Sequence, residues 1–472
     1  MVFSSYPFIF LFLPLVWGGY FLLHTLSFHK AAKWFLVASS FVFYAIGSKR
    51  FALTFMLSVT VNYVIGTGIS KIQSTENKGI KDRILSTGAF AIGILLNVGL
   101  LGYYKYADFF IRNFNRVFDT EYQLLHIILP IGISFFTFQL IAFLVDSWRG
   151  LTSSYNFLDY LLFITFFPQL IVGPIVHHGE MVPQFETAEN YRINWNNVAK
   201  GSFIFTIGVA KKILLADPLT LNAQSFFDIS HVPVVSAISA WWYSAEYTVS
   251  YYFDLSAYAD MAIGIGLMFN IMIPENFNSP YKARNFQDYW QRWHMTLSRF
   301  LGSYIFRSVY RKGSRWRNYY VATMITFFVS GFWHGSGWHF VLWGLVNGVF
   351  VCSASWMKRK GFAFNVFVAH ALTIAGIILT RIMFVCNFKQ MATVFRSLVN
   401  FNSMDFSVGK GVSYTKLLQM ACAIFIIFAM PTTKTLADRF RPSWGRLVPA
   451  SLAAGISVAF MGMTTVFLYF QF

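Results

Sequence analysis

The stretch Ser330-Gly331-Phe332-Trp333-His334-Gly335-Ser336-Gly337 places one imidazole inside an apolar region, with glycine on both sides. Residues 321–329 before it and 338–352 after it are largely apolar. An ionisable side chain at that depth is energetically expensive, which makes His334 a functional-site hypothesis. The glycines are expected to loosen the helix and to let another molecule approach the backbone closely.

A neutral core histidine that donates to a backbone carbonyl is the structural alternative for His334. For a lone histidine on an apolar face, that alternative is the more common one. A second pair of the same residue types, Trp293-His294, lies upstream in this chain. The repeated pairing of histidine with tryptophan favours the functional interpretation.

The composition indicates a membrane protein. Of the 472 residues, 56% are hydrophobic and only 12% are charged, whereas soluble chains carry about 25% charged residues. Apolar runs long enough to cross a bilayer recur along the chain, and they are too long for barrel strands. The predicted fold is an all-α polytopic membrane protein, one domain over residues 1–472, with roughly eleven transmembrane helices plus short re-entrant or interfacial helices.

The formal net charge of +18 is explained first by lysine and arginine in cytoplasmic loops and by contact with anionic lipids, so no nucleic-acid partner is expected. A cytosolic substrate that carries phosphates, such as a coenzyme A thioester, is a second explanation. If the basic loop at 71–83 is cytoplasmic, the N-terminus lies outside. The basic connection at 307–317 is likewise interpreted as a cytoplasmic loop.

The cysteines and the adjacent histidines predict no metal site. Cys352, Cys386 and Cys422 show no paired spacing for a disulfide or a zinc site, and are interpreted as small buried hydrophobic residues. His177-His178 with nearby Glu180 suggests a metal, but the spacing matches no ligand motif. Interfacial histidines near a Gly-Pro turn are the favoured interpretation.

Three carboxylates, Glu246, Asp254 and Asp260, occur in the apolar run at 237–273. Buried carboxylates need partners, or else they become protonated. Hydrogen bonding or ion pairing inside the helix bundle is the favoured interpretation. The functional alternative is that they line a polar cavity.

Residues 285–301 are predicted to form one amphipathic helix after an irregular, proline-bounded segment at 274–280. Apolar residues and polar residues each repeat at helical spacing, so the helix has an apolar stripe and a polar stripe. The polar stripe suits the wall of a water-filled cleft. Asp288 and Arg292 are four residues apart and are expected to pair. The apolar stripe comprises Phe286, Trp290, Trp293, Leu297 and Leu301, and the polar stripe Gln287, Gln291, His294 and Ser298.

A neutral histidine in a dry site suits general-base catalysis. By removing a hydroxyl proton it lets the oxygen attack a thioester carbonyl, and it is also able to accept an acyl group transiently. Negative charge that develops on the carbonyl oxygen needs a donor, such as a backbone N–H near Gly335, a tryptophan N–H or Arg292. Motifs of serine hydrolases, P-loop ATPases and zinc proteases are absent from the sequence.

Several motifs in order resemble the membrane-bound O-acyltransferase superfamily, most closely its bacterial branch that acetylates alginate, cellulose and peptidoglycan. The resemblance extends over nearly the whole chain. Its most specific parts are Pro274-Glu275-Asn276-Phe277-Asn278, Trp290-Gln291-Arg292-Trp293-His294-Met295-Thr296-Leu297-Ser298 and Gly331-Phe332-Trp333-His334-Gly335.

The resemblance implies a bacterial cytoplasmic (inner) membrane enzyme with a central polar tunnel, in which His334 is the catalytic histidine and His294 a second functional position. The implied reaction takes an acetyl group from a cytosolic thioester and passes it across the bilayer to an extracytoplasmic polysaccharide. Acetyl-CoA is the implied co-substrate, and no bound cofactor or metal is expected. The implied partners are an esterase-like protein of SGNH type and the polysaccharide export machinery. The residues predicted to bind substrate or line the tunnel are Asp254, Asp260, Asn276, Asp288, Gln291, Arg292, Trp293, Ser298 and Trp333.

Three other functions stay open at this point. A D-alanyl transferase of the teichoic acid type would take its acyl group from a carrier protein. A proton-coupled transporter or channel would use His294, His334, Asp254 and Asp260 as a relay, although no inverted repeat with broken helices is found. A structural scaffold for an export complex is the third.

Overall fold

The computed structural model describes residues 2–76, 79–152, 155–227, 234–311, 313, 316–402 and 414–463. All regular elements in these ranges are helical, which confirms the predicted all-α class. The first half of the chain forms α1 (Leu13–Thr25), α2 (His29–Ser48), α3 (Ala52–Gln73), α4 (Ile80–Leu101), α5 (Ala107–Phe118), α6 (Ile133–Trp148), α7 (Phe157–Thr165), α8 (Phe167–Leu170), α9 (His178–Glu186), α10 (Trp195–Ala210) and α11 (Asp217–Phe227).

The second half continues with longer helices interrupted by short ones. These are α12 (Ala237–Met268), α13 (Phe286–Arg292), α14 (Met295–Leu301), α15 (Arg307–Val309), α16 (Trp316–His334), α17 (Trp338–Arg359), α18 (Val366–Val385), α19 (Phe388–Leu398), α20 (Tyr414–Ala429), α21 (Thr433–Asp438) and α22 (Trp444–Phe460). The predicted last span, which runs to Phe472, lies partly outside the described residues.

Short π-helical and 3₁₀ segments flank several of these helices. Such segments are wider or tighter turns that adjust the direction of a helix. The π-helical segments are Phe8–Phe12, Gly102–Tyr106, Lys211–Ala216 and Gly302–Phe306, and the 3₁₀ segments are Lys49–Phe51, Ala188–Tyr191, Pro280–Lys282 and Met461–Met463.

Five helical stretches among the described residues are long and apolar enough to cross a membrane. Two of them, His29–Gln73 and Ile80–Phe118, include more than one helix. The other three are Phe8–Thr25, Trp338–Arg359 and Val366–Val385, and shorter apolar helices occur at Ile133–Trp148, Tyr414–Ala429 and Trp444–Phe460. The number of roughly eleven transmembrane helices stays a prediction.

The chain divides into two compact units. Unit 1 comprises Met1–Phe205 and Ala262–Pro274, and unit 2 comprises Thr206–Met261 and Glu275–Phe472. The predicted single domain over residues 1–472 stays a prediction. Both histidines singled out in the sequence belong to unit 2, so that unit holds the candidate site.

The core of unit 1 is rich in aromatic rings. Phe8, Phe43 and Phe167 are fully buried and pack with ring centroids 5.7 to 6.1 Å apart. The buried cation Lys33 lies 2.7 Å from Asp159, so the charge in this apolar core is compensated. Aromatic packing of this kind buries large apolar areas with defined geometry.

In unit 2, α16 and α17 approach closely because glycines face each other. A Cβ on Gly331 would lie 2.4 Å from the Phe340 carbonyl oxygen and 3.1 Å from the Gly344 Cα. A Cβ on Gly335 would lie 2.0 Å from the Phe340 ring. The space beside these glycines is therefore occupied by α17 of the same chain, whereas the glycine pattern in the sequence predicted the approach of another molecule there.

The predicted continuous helix over 285–301 is wrong. It is broken at Trp293-His294 into α13 and α14, because His294 adopts a left-handed backbone conformation with φ +47° and ψ +52°. Non-glycine residues rarely adopt this conformation, and surrounding contacts must stabilise it. The break removes His294 from the predicted polar stripe and buries its side chain.

Candidate active site

His334 is the last residue of α16 and is 8% exposed. Its Nδ1 lies 2.6 Å from the carbonyl oxygen of Ser330, one turn earlier in the helix. A carbonyl oxygen only accepts hydrogen bonds, so Nδ1 of a neutral ring carries the proton and donates it. The Nε2 atom then carries the lone pair, which is the form that a general base requires.

Aromatic rings surround the His334 imidazole. Its ring centroid lies 4.8 Å from Trp333, 4.9 Å from Trp343 and 5.4 Å from Phe384, each in an edge-on arrangement. These contacts fix the direction of the ring and keep its surroundings apolar. The predicted site residue Trp333 is thus in direct contact with the candidate catalytic ring.

His294 has the same arrangement of its ring nitrogens. Its Nδ1 lies 3.2 Å from Oδ1 of Asn276. The same oxygen accepts from the backbone N–H of Thr296 at 3.2 Å, which identifies it as the amide oxygen rather than the nitrogen. Nδ1 of a neutral His294 therefore donates, and Nε2 holds the lone pair.

Asn276 stabilises the break between α13 and α14. Its side-chain oxygen also accepts from the Thr296 hydroxyl at 2.9 Å, and its carbonyl oxygen accepts from the Met295 N–H at 2.9 Å. The neighbouring Asn278 N–H donates to the Arg292 carbonyl oxygen at 2.9 Å. The irregular segment after α12 thus holds His294 in its left-handed conformation.

Burial lowers the pKa of His294, which lies outside the five apolar spans, to about 3. Desolvation penalises the charged imidazolium and is the main cause. The His294 ring is therefore neutral at physiological pH. It is suited to hydrogen bonding and positioning rather than to accepting a proton.

A continuous set of rings links the two histidine motifs within unit 2. Tyr251 stacks on Trp293 with centroids 6.1 Å apart and contacts Phe384 at 5.8 Å. A second connection runs from Trp290 to Trp343 at 5.8 Å. Since Phe384 and Trp343 both contact His334, the structure brings the upstream motif and the downstream motif into one cluster.

Other predicted site residues lie at the edge of this cluster or outside it. Asp288 and Arg292 form the predicted ion pair at 2.7 Å, and both are about one third exposed or less. Gln291 is exposed. The Ser298 hydroxyl donates to the Trp290 carbonyl oxygen at 3.1 Å, so it closes the turn between α13 and α14. Their role in lining a tunnel stays a prediction.

Two of the three predicted carboxylates have lysine partners, and the third accepts from an amide. Asp254 lies 2.6 Å from Nζ of Lys212, and that nitrogen also lies 2.7 Å from Asp217. Asp260 lies 2.7 Å from Lys211 and accepts from the Thr433 hydroxyl. Glu246 accepts from the side-chain amide of Asn222 at 2.5 Å. These geometries agree with the favoured interpretation, ion pairing and hydrogen bonding inside the bundle.

Arg381 in α18 was not predicted from the sequence as a site residue. This arginine is 6% exposed, and its guanidinium carbon lies 3.8 Å from the centroid of the Tyr251 ring. It also lies 5.4 Å from the centroid of Phe384, the ring that contacts His334. The available signal was one arginine in the last third of the apolar run Val366–Val385.

In unit 1, His177 and His178 are close to Asp146, and their ligand atoms lie within 4.8 Å of one another. Both Nε2 atoms approach the same oxygen of Asp146, at 2.7 and 3.1 Å. The Gly179 N–H donates to Nδ1 of His177 at 3.2 Å, so Nε2 of that neutral ring carries the proton. A protonated Nε2 donates to Asp146 and offers no lone pair to a metal.

Comparison with known proteins places the chain near membrane acyltransferases. The model of the MBOAT, membrane-bound O-acyltransferase family, matches residues 148–393. The peptidoglycan O-acetyltransferase of Helicobacter pylori is 36% identical over 100% of this chain and 98% of its own length. The resemblance noted in the sequence is thereby confirmed.

Two further relatives differ in coverage. The "Probable alginate O-acetylase" of Pseudomonas aeruginosa is 35% identical over 74% of this chain and 65% of its own length. The teichoic acid D-alanyltransferase of Streptococcus thermophilus is 25% identical over 49% of this chain and 58% of its own length.

Proposed function

The chain belongs to the membrane-bound O-acyltransferase family and is a multi-pass membrane acyltransferase, and on that premise we propose that it transfers acetyl groups to an extracytoplasmic polysaccharide. The donor is a cytosolic thioester, acetyl-CoA. The acetyl group crosses the bacterial cytoplasmic (inner) membrane and ends as an ester on a polymer hydroxyl. No prosthetic group takes part in this scheme.

Peptidoglycan is the polymer that the similarities favour. The relative named for peptidoglycan O-acetylation matches over the full chain, whereas the one named for alginate matches over 74% of it. Full-length similarity includes the segments outside the catalytic motifs, and those segments are available to contact an acceptor or a partner. The proposed partners are an esterase-like protein of SGNH type, which receives the acetyl group, and the polysaccharide export machinery.

The observation that carries the proposal is the 2.6 Å hydrogen bond from His334 Nδ1 to the Ser330 carbonyl oxygen. It leaves Nε2 of a buried imidazole as a base. In the proposed reaction, Nε2 removes the proton of the acceptor hydroxyl while that oxygen attacks the thioester carbonyl carbon. The carbon–sulfur bond then breaks, and the thiolate takes the proton from the imidazolium, so that an acetyl ester and free coenzyme A result.

His294 has a positioning role in this scheme. A neutral ring whose Nδ1–H is held by Asn276 presents Nε2 as a hydrogen-bond acceptor. It orients the acceptor hydroxyl and does not take its proton, because burial keeps the pKa of His294 near 3. Positioning of this type contributes to rate by holding reacting groups in the productive geometry.

The test replaces His334 with alanine in cells and measures O-acetyl groups on the cell-surface polymer. General-base catalysis contributes roughly 10²- to 10⁴-fold to rate, so acetylation is expected to fall to background. His370→Ala is the matched control, because His370 also holds a carbonyl oxygen through Nδ1, at 3.1 Å, in the apolar span α18. Retained acetylation in His334→Ala at normal protein level would contradict the proposal.

The identity of the acyl donor distinguishes an acetyltransferase from a D-alanyl transferase. Purified full-length protein is expected to release coenzyme A from acetyl-CoA when the SGNH-type partner and soluble peptidoglycan fragments are present. Turnover only with a D-alanyl carrier protein would establish the alternative. Acetyl transfer in detergent, where no ion gradient exists, would likewise exclude a proton-coupled transporter as the function.

A further inference from the structure

Arg381 is a buried cation whose charge has no carboxylate partner in the described part of the chain. It is 6% exposed, and it takes part in none of the ion pairs within 4 Å among those residues. The other two cations that are similarly buried there, Lys33 and Lys212, lie 2.7 and 2.6 Å from Asp159 and Asp254. Arg381 is therefore the exception among the buried cations that the structure describes.

Aromatic side chains take the place of a counter-ion. The guanidinium carbon lies 3.8 Å from the Tyr251 ring centroid and 5.2 Å from that of Trp293. The phenols of Tyr251 and Tyr289 lie near the guanidinium. Cation–π contacts offset only part of the desolvation penalty of a buried ion.

One donor nitrogen of this guanidinium has no hydrogen-bond acceptor within the described ranges. Nε of Arg381 is buried and has no hydrogen-bond partner among the described residues. A buried N–H without an acceptor costs free energy comparable to a lost hydrogen bond, and more when the group is charged. The arrangement therefore favours binding of an oxygen atom that carries a negative charge or develops one during a reaction.

The amino-acid sequence around Arg381 strengthens this expectation. No aspartate or glutamate occurs between Asp288 and Asp405, a stretch that includes His294, His334 and the whole of α18. A counter-ion from the neighbouring helices α16 and α17 is therefore impossible. The negative charge has to come from a distant part of the chain or from a substrate.

Arg381 is also adjacent to the candidate catalytic ring. Phe384 lies three residues later on α18, and its ring contacts both the Arg381 guanidinium, at 5.4 Å, and the His334 imidazole, at 5.4 Å. Residues three apart share one face of a helix. One side chain thus separates the uncompensated cation from the proposed base.

We propose that Arg381 is the residue that stabilises the oxyanion of the acyl-transfer reaction, an inference that rests on the proposed function. Its Nε–H donates to the thioester carbonyl oxygen. As the acceptor oxygen attacks and its proton moves to His334, the C=O π electrons move onto that carbonyl oxygen, which becomes an oxyanion beside the guanidinium. When the C=O bond re-forms, the thiolate leaves and takes the proton from His334.

The first experiment compares Arg381→Met with wild type in two measurements, polymer O-acetylation in cells and thermal unfolding of the purified full-length protein. We expect acetylation to be lost while Tm stays the same or rises, because an apolar side chain removes an uncompensated buried charge. Arg359→Met is the matched control, because Arg359 also lies on aromatic rings, 5.6 Å from the Tyr319 centroid, but is exposed. A large fall in Tm for Arg381→Met would mean a structural role and would overturn the inference.

The second experiment measures coenzyme A release by purified Arg381→Lys and Arg381→Gln over a range of acetyl-CoA concentrations. Loss of an oxyanion donor is expected to lower kcat by about 10²- to 10³-fold with little change in KM. A raised KM with unchanged kcat would overturn the inference in favour of an anchor for the coenzyme A phosphates. If Arg381→Met acetylates as well as wild type does, only the proposed role of Arg381 is contradicted. If the wild-type protein acetylates nothing, the proposed function is contradicted, and the role of Arg381 with it.

Discussion

Gly331 of α16 and Gly344 of α17 face each other so closely that a Cβ on Gly344 would lie 3.0 Å from the Gly331 Cα and 2.3 Å from the Phe327 carbonyl oxygen. This contact sets the distance between the helix that ends in His334 and the helix that carries Trp343. Small residues permit such close backbone approach between membrane helices.

Gly331→Ala is expected to destabilise the protein by about 1 to 3 kcal/mol, because the added methyl group meets backbone atoms that cannot rotate away. Thermal unfolding of the purified protein in detergent measures the change. Gly99→Ala in α4 is the control, since nothing lies within 4 Å of a Cβ added there. Equal Tm values for Gly331→Ala and wild type would show that α16 and α17 separate without cost.

Asn276→Ala is expected to destabilise the turn at His294 by about 1 to 3 kcal/mol and to reduce acetylation. The substitution leaves Nδ1 of His294 and the Thr296 N–H without the oxygen that accepts from both, and buried unsatisfied donors carry that cost. Unfolding and polymer acetylation are measured together. The exposed Asn196→Ala serves as the control and is expected to change stability by less than about 0.5 kcal/mol.

Glu275 predicts a pH dependence of stability. This carboxyl lies outside the apolar spans. Burial is the main reason that its pKa is raised from 4.5 to about 7. The charge of Lys434 lowers this pKa, whereas the charges of Asp260 and Asp438 raise it further. Because the folded state holds the proton more tightly than the unfolded state, the stabilisation is complete below pH 4.5 and is lost as the pH rises through 7.

The measurement is Tm between pH 4.5 and 8 for wild type and Glu275→Gln. Wild type is expected to lose stability relative to the variant as the pH rises, because glutamine does not titrate. A difference in Tm that is constant across this range would contradict the raised pKa of Glu275.

Lys212→Met is expected to destabilise the protein by about 3 to 5 kcal/mol, because it leaves Asp254 and Asp217 buried without their shared cation. The double variant Lys212→Met/Asp254→Leu is expected to recover part of that loss. Lys434→Met is the comparison, since its ion pair with Asp438 is about half exposed and is worth 0 to about 1 kcal/mol. A similar small loss for Lys212→Met would show that the two carboxyls become protonated instead.

The site was only partly predictable from the sequence. His334 was singled out because an imidazole in an apolar run is costly, and Trp333 because it lies in the same motif that carries the family resemblance. The break at His294 was not predicted, because the helical spacing of 285–301 is regular. The break depends on Asn276, which lies in a different segment and whose contacts no periodicity reveals.

Arg381 was missed for a related reason. An arginine in an apolar segment is visible in the sequence, but whether it has a counter-ion depends on which residues pack beside it. The absence of acidic residues between Asp288 and Asp405 was a usable signal, since it removes the partners that are near in sequence.

The sequence by itself determined the membrane-embedded all-α class and singled out His334 as a candidate, because the free energy of placing apolar and charged groups in lipid depends mainly on composition and run length. Only the tertiary structure decided which nitrogen of His334 is basic, that His294 has a left-handed backbone, and that Arg381 lies on Tyr251 beside Phe384. Those features depend on hydrogen bonds and ring contacts with ångström-scale geometry between residues far apart in the chain, and local sequence patterns do not encode them.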